Sequence, residues 1–207
     1  MKAAPVCILP VRGLDEGKSR LSGVIDGQTR ADLNAFLLET TLDVLEDYPG
    51  AASVIVVSAS DDVHARARRR GMDAVGDPGG GLSEAVAAGV SAARARGARG
   101  VFIIPVDLPL LKASVLRRLV ATAPAGPVCV LAPDRAELGT NFLYQSPIRM
   151  ARFAYGVGSF ERHRALAAAC GLIVQVRREP TLAFDLDLPS DLEAWRRMPA
   201  VNGDPCA

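Results

Sequence analysis

Two clusters of charge frame this chain. Near its start, Arg12, Lys18 and Arg20 place three cations within nine residues, beside Gly13 and Gly17. A glycine-bearing loop with fixed positive charge can wrap a triphosphate through its backbone N–H groups. The opposite charge is supplied by Asp107 and by Asp185 and Asp187. Asp107 ends the apolar run 101–106 (VFIIPV), where an open α/β sheet places its ligands. Asp185 and Asp187 lie two apart in FDLDL, so on an extended backbone both carboxylates project to one side. Same-side carboxylates raise the cost of each other's charge and call for a cation. Mg²⁺ held by a few carboxylates plus a substrate phosphate meets that demand. Capping or plain solvation of these acids is the alternative at this level.

Two further segments carry weaker signals. Asp77-Pro-Gly-Gly-Gly81 precedes an amphipathic segment, so glycine flexibility and a helix N-terminus there favour an anionic ligand. Gly139-Thr140-Asn141 and Gly156-Val-Gly-Ser159 each join exposed backbone N–H groups to a hydroxyl, which suits a small anionic acceptor. The loop at 11–21 also nearly matches a P-loop, but Gly13 and Gly17 enclose three residues instead of four, and the spacing argues against it. His64 and His163 read as structural or solvated, because no Ser or Cys partner pattern accompanies either.

The elements that must hold these loops read as alternating strands and helices. Strands are expected at 4–10, 53–58, 72–75, 101–106, 128–132, 142–146 and 172–177, with 181–187 extended. Helices are expected from a Thr29 cap to about Tyr48, then at 61–70, 82–96, 113–122, 159–169 and 190–197. The pattern predicts one α/β domain over residues 1–198, single-domain and Rossmann-like, with a mostly parallel sheet covered by helices on both faces. Some antiparallel pairing is expected in the less regular second half, and a disordered tail over 199–207.

The 207 residues suffice for one sizeable core. Hydrophobic residues at 49%, charged residues at 23% and a net charge of +1 give no electrostatic case for nucleic acid or an anionic membrane. The arginine-rich run 64–70 reads as one exposed helix face. The four cysteines show no metal-finger spacing, and Cys7 and Cys129 sit in apolar runs, as in a protein of the reducing cytoplasm. The N-terminus does not read as a signal peptide, and no apolar stretch approaches the roughly 20 residues of a membrane span.

The ordered blocks LPVRGLDEGKSRLS, LSEA, IIPVDLPLL, APDRAELGTNFL, GVGSFERH and FDLDLPSDL cover the chain from Pro10 to about Trp195. In that order and spacing, the sequence resembles the CofC/FbiD guanylyltransferases of coenzyme F-420 biosynthesis, which have a GT-A-type nucleotidyltransferase fold. The resemblance implies transfer of GMP from GTP to a small phosphorylated carboxylic acid with release of pyrophosphate and a requirement for Mg²⁺. Its acceptors are 2-phospho-L-lactate, phosphoenolpyruvate or 3-phospho-D-glycerate. By position it implies catalytic roles for Lys18, Arg20 and Asp107, and metal binding by Asp107, Asp185 and Asp187. The nucleotide would meet Pro10, Arg12, Lys18, Arg20, Asp77, Gly80, Gly81, Leu82 and Ser83. The acceptor would meet Thr140, Asn141, Gly156 and Ser159. Members of the family are often dimeric, although no feature of this sequence marks a self-association surface. Departures from the family pattern are Ser83 in place of Asn, Phe142 in place of a small residue, Val157 within the acceptor loop and Ala136-Glu137-Leu138. A related molybdenum-cofactor-type transferase and a GTP-binding protein without turnover are the competing readings.

Overall fold

The apolar runs are buried on both faces, as continuous hydrophobic strands require. In the computed structural model, which describes residues 4–198, every residue of Val54–Ser58 and Val128–Pro133 is buried. These runs belong to one seven-stranded sheet. Its strands are β1 (Val6–Pro10), β2 (Val54–Ser58), β3 (Asp73–Gly76), β4 (Val101–Ile103), β5 (Val128–Pro133), β6 (Thr140–Ser146) and β7 (Ile173–Val176). The order is β3-β2-β1-β4-β6-β5-β7, and β6 runs antiparallel to both β4 and β5 while the other neighbouring pairs are parallel. The irregular second half is therefore where the mixed pairing lies. The expected tail at 199–207 falls outside the described residues.

The helices are α1 (Gly27–Asp47), α2 (Asp61–Arg69), α3 (Leu82–Ala95), α4 (Ala113–Ala121), α5 (Ser159–Ala169), the single turn α6 (Pro180–Ala183) and α7 (Pro189–Arg196). Alternate strand residues divide between two cores. Leu9, Val56, Phe102 and Val130 pack with α1, α2 and α4, whereas Ile8, Ile55, Ile103 and Leu131 pack with α3 and α5. A third cluster joins Leu21 after the basic loop, Leu33 and Leu37 of α1, Phe184 and Leu186 of the acidic segment, and Trp195 of α7. This small core brings the two charged segments together. The arginines at 66 and 70 lie on a paired face: Arg66 bonds Glu39 and Asp62, and Arg70 bonds Glu39, Asp43 and Glu46.

Three local expectations need correction. Strand β4 stops at Ile103 instead of residue 106: the Ile104 amide still reaches the Ile8 carbonyl at 3.3 Å, but Pro105 has no N–H to continue the ladder. Asp26, not Thr29, caps α1, its carboxylate accepting the Thr29 amide at 2.7 Å. The stretch 181–187 is not extended throughout, because Pro180 at the first helical position starts the turn α6. The chain extends again after Ala183.

Candidate active site

The basic loop leaves β1 at the carboxyl edge of the sheet and closes on itself within a few residues. The Glu16 amide bonds the Gly13 carbonyl at 2.9 Å, and the Leu21 amide bonds the Lys18 carbonyl at 2.9 Å. Gly17 has φ +85°, the region open to glycine, and Lys18 follows with φ 45° in the left-handed region. From α1, the Asn34 side chain donates to the carbonyls of Leu14 at 2.8 Å and Glu16 at 3.0 Å, tying the loop to a rigid element. Sequence reasoning missed Asn34. Its signal was an amide side chain inside a helix, where Asn is a weak helix former and needs another reason to be present.

Across the cleft, the segment after α6 runs beside the loop that follows β4. The Leu186 amide donates to the Asp107 carbonyl at 3.0 Å, and the Thr41 hydroxyl of α1 donates to the Val106 carbonyl at 3.4 Å. Phe184 and Leu186 are buried while Asp185 and Asp187 between them are half-buried, and of these two acids Asp187 lines the cleft and Asp185 does not. Asp191 of α7 secures the far end of this segment. Its carboxylate accepts the amides of Asp187 and Leu188 at 3.1 and 2.7 Å and pairs with Arg135, whose guanidinium lies 4.6 Å from the Phe184 ring centre.

The two charged segments meet. Lys18 Nζ donates to the Leu186 carbonyl at 2.6 Å and lies 3.8 Å from the Asp187 carboxylate. Arg20 lies 3.8 Å from the other oxygen of Asp187. Asp107 Oδ1 is buried and has no hydrogen-bond partner among the described residues. Burial pushes the Asp107 carboxyl up to about 6 against the pull of the Lys18 ammonium, and the charges of Asp187 and Asp185 push the same way as burial. Burial also raises the Asp185 carboxyl above its ordinary range, with Asp187, Asp134 and Asp191 adding to the effect.

Between the segments opens a cleft of about 670 Å³, large enough for a nucleotide and a small co-substrate. Of the residues predicted from the sequence, Pro10, Arg12, Lys18, Arg20, Asp77, Gly81, Leu82, Asp107, Gly156 and Asp187 line it. Gly80, Ser83 and Asp185 do not. The Ser83 hydroxyl instead accepts the Tyr155 amide at 2.9 Å, joining the start of α3 to the loop 154–158. Thr140, Asn141 and Ser159 also stand back from the cleft and are buried. Asn141 donates to the Leu182 carbonyl at 2.8 Å, and the hydroxyls of Thr140 and Ser159 are 3.3 Å apart. Phe142, one departure from the family pattern, is a core residue stacked on Phe102 with ring centres 5.8 Å apart, so it leaves the cleft unchanged.

Among the described residues, no three His, Cys, Asp or Glu side chains converge closely enough to hold a metal ion on their own. A magnesium site does not require such a cage, since Mg²⁺ keeps several waters and uses one or two carboxylates with substrate phosphates. Asp107 fits that chemistry, because its buried oxygen lacks a partner in a site already crowded with negative charge. No helix among the described residues is long and apolar enough to cross a membrane.

A family model described as guanylyl transferase CofC like matches residues 5–195. A phosphoenolpyruvate guanylyltransferase from Sphaerobacter thermophilus is 38% identical over 188 residues, covering 91% of this chain and 90% of the relative. A 3-phospho-D-glycerate guanylyltransferase from Colwellia psychrerythraea is 28% identical over 186 residues, covering 90% and 88%. Among solved structures, the CTP complex of CMP:2-keto-3-deoxy-manno-octonic acid synthetase has a TM-score of 0.58 at 14% identity, covering 92% of this chain and 96% of that one. The fold is thus that of nucleotidyltransferases, and the match over nearly the whole length shows that this chain belongs to the CofC guanylyltransferase family.

Proposed function

We propose that this guanylyltransferase transfers GMP from GTP to phosphoenolpyruvate, in the route to coenzyme F-420, at the cleft between the loop 11–21 and the segment 184–188. The observation that carries this reading is the meeting of Lys18 and Arg20 with Asp187 beside the buried, unpartnered Asp107 oxygen. Gly81, Leu82, Pro10, Arg12 and Asp77, which line the cleft, are the remaining nucleotide contacts. The choice of phosphoenolpyruvate follows the relatives at 38%, 37% and 36% identity, which carry that name. A second reading, 3-phospho-D-glycerate, is favoured by the Colwellia relative.

The acceptor's phosphate oxygen is an anion at neutral pH and attacks the α-phosphorus without a general base. One P–O bond forms as the bond from the α-phosphorus to the α,β-bridging oxygen breaks, and pyrophosphate leaves with the electron pair. Catalysis is then a matter of placement and charge. Lys18 and Arg20 neutralise the departing pyrophosphate. In the free protein the Lys18 ammonium rests on the Leu186 carbonyl and Asp187, partners that an incoming phosphate would replace or share. Asp107 and Asp187 would hold Mg²⁺, with Asp185 adding negative charge behind them. That ion would supply positive charge to the phosphate oxygens.

The test is pyrophosphate release with Mg²⁺, crossing GTP, CTP and ATP against phosphoenolpyruvate, 3-phospho-D-glycerate and 2-phospho-L-lactate. Release with GTP and phosphoenolpyruvate alone is expected. Release only with another nucleotide overturns the reading, and release only with another acid replaces the acceptor.

A further inference from the structure

One side chain ties the glycine-bearing part of the basic loop to the body of the protein. Asn34 of α1 is half-buried and lines the cleft. Its Nδ2 lies 2.8 Å from the Leu14 carbonyl and 3.0 Å from the Glu16 carbonyl. Two carbonyl partners identify that atom as the amide nitrogen, and both of its hydrogens are spent on them. Among the described residues these are the only hydrogen bonds that join residues 13–17 to another element. What Asn34 has left to offer the cleft is Oδ1, an acceptor, which a phosphate oxygen would avoid. Any effect of Asn34 on an anion therefore passes through the loop.

The peptide between Glu16 and Gly17 is trans, and a planar trans peptide sets its N–H opposite its C=O. Drawing the Glu16 carbonyl toward α1 turns the Gly17 N–H away from α1. The left-handed turn that follows, at φ +85° for Gly17 and 45° for Lys18, leads into three more residues of the same kind. Gly17, Lys18, Ser19 and Arg20 all line the cleft, and among the described residues none of their backbone N–H groups meets an acceptor. Four free donors in succession, beside the Lys18 ammonium and the Arg20 guanidinium, suit an extended anion.

We propose that Asn34 is a positioning residue for the pyrophosphate part of the nucleotide. By holding the Leu14 and Glu16 carbonyls it keeps the amides of residues 17–20 free for the β- and γ-phosphates. Its own amide hydrogens stay on the protein and never meet substrate. The proposal rests on the guanylyltransferase reading, in which this loop receives GTP.

The experiment compares the wild type with Asn34→Ala, which removes both donors while favouring the helix. Affinities for GTP, GMP and inorganic pyrophosphate are measured by calorimetry with Mg²⁺ present, and hydrogen exchange is followed at the Glu16 amide. Asn34→Ala is expected to bind pyrophosphate and GTP about tenfold more weakly, the scale of one lost anion-directed hydrogen bond. Affinity for GMP, which lacks the pyrophosphate, should stay within about twofold, and the Glu16 amide should exchange faster. A general loosening of the fold would weaken GMP as much as GTP. Equal losses for GMP and GTP, or an unchanged pyrophosphate affinity, overturn the proposal. If the Ala variant does not fold, amide resonances of the wild type decide. Pyrophosphate should shift the Gly17 amide and leave the Asn34 side-chain amide protected from exchange. An unmoved Gly17 amide, or a side-chain amide released to solvent, overturns the proposal. A wild type that binds neither GTP nor pyrophosphate would be the failure of the functional reading. That result is separable from a wild type that binds both and an Ala variant that binds them equally well.

Discussion

Lys18 occupies a left-handed backbone conformation that residues with a side chain rarely adopt, at φ 45° and ψ 32°. The turn carries its ammonium inward to the Leu186 carbonyl, and its side chain is only 6% exposed. Strain of this kind persists where the surroundings fix it and a site uses it. Lys18→Ala relieves none of the backbone cost but removes the charge. GTP affinity measured by calorimetry should fall about tenfold or more, the scale of a charge-assisted contact to phosphate. Unchanged affinity would remove Lys18 from the nucleotide site. Asp107 gives the complementary case. Its unpartnered buried oxygen is a cost to the free fold that a neutral amide reduces. Asp107→Asn should therefore raise the melting temperature of the free protein by a few degrees, on the order of 1 kcal/mol. The same variant should lower pyrophosphate release by about a hundredfold or more. A gain in stability with normal turnover would show that the carboxylate does no chemistry.

At the scale of elements, helix α3 approaches the sheet as closely as its sequence permits. A Cβ on Gly89 would stand 2.5 Å from Ile8 Cγ2 and 2.9 Å from Val57 Cγ2, both core strand atoms behind the nucleotide edge. Gly89→Ala must push α3 outward, and with it Gly81 and Leu82 at the cleft. The expected loss is about 1–3 kcal/mol in urea unfolding, although alanine favours a helix over glycine by roughly 1 kcal/mol. A stabilised variant would show that the helix has room to move. The sequence made this helix legible because Leu82, Ala85, Val86, Gly89, Val90 and Ala93 recur at helical spacing. It also placed the two charged segments, whose residue types stand close together along the chain. The set-back acceptor residues were less legible. Whether Thr140 and Ser159 face the cleft or each other depends on β6 and α5 meeting, a contact between distant segments that no local spacing encodes. Pro105 and Pro180, by contrast, were visible in the sequence, and their missing N–H and fixed φ account for the shortened β4 and the turn α6.

The whole molecule is one sheet with its charged loops gathered at one edge, and the alternation of strands and helices sufficed to predict that plan. Its pH response follows from groups buried with opposite preferences. His163 prefers to be neutral, while Asp107 and Asp185 prefer to be protonated. The imidazole in the unfolded chain takes a proton near its ordinary value of 6.5, but in the fold it does so only at about 4. Between those values the unfolded state binds more protons, so the His163 contribution to stability is full above about 6.5 and declines as pH falls toward 4. Asp107 acts with the reverse sign over a partly overlapping range, so the total curve alone does not isolate the histidine. The charged and titratable neighbours of the ring are Arg162 and Tyr155, and burial raises the Tyr155 phenol well above this window. Comparison with His163→Asn, which cannot titrate there, isolates it. The wild type should lose stability relative to this variant on acidification from pH 7 to pH 4, by on the order of 2–3 kcal/mol. Melting temperatures taken in steps across that range check the sign. A constant difference between the two proteins would mean that the folded imidazole titrates as it does in water, with its Nε2 not held by the Ala154 amide 3.0 Å away.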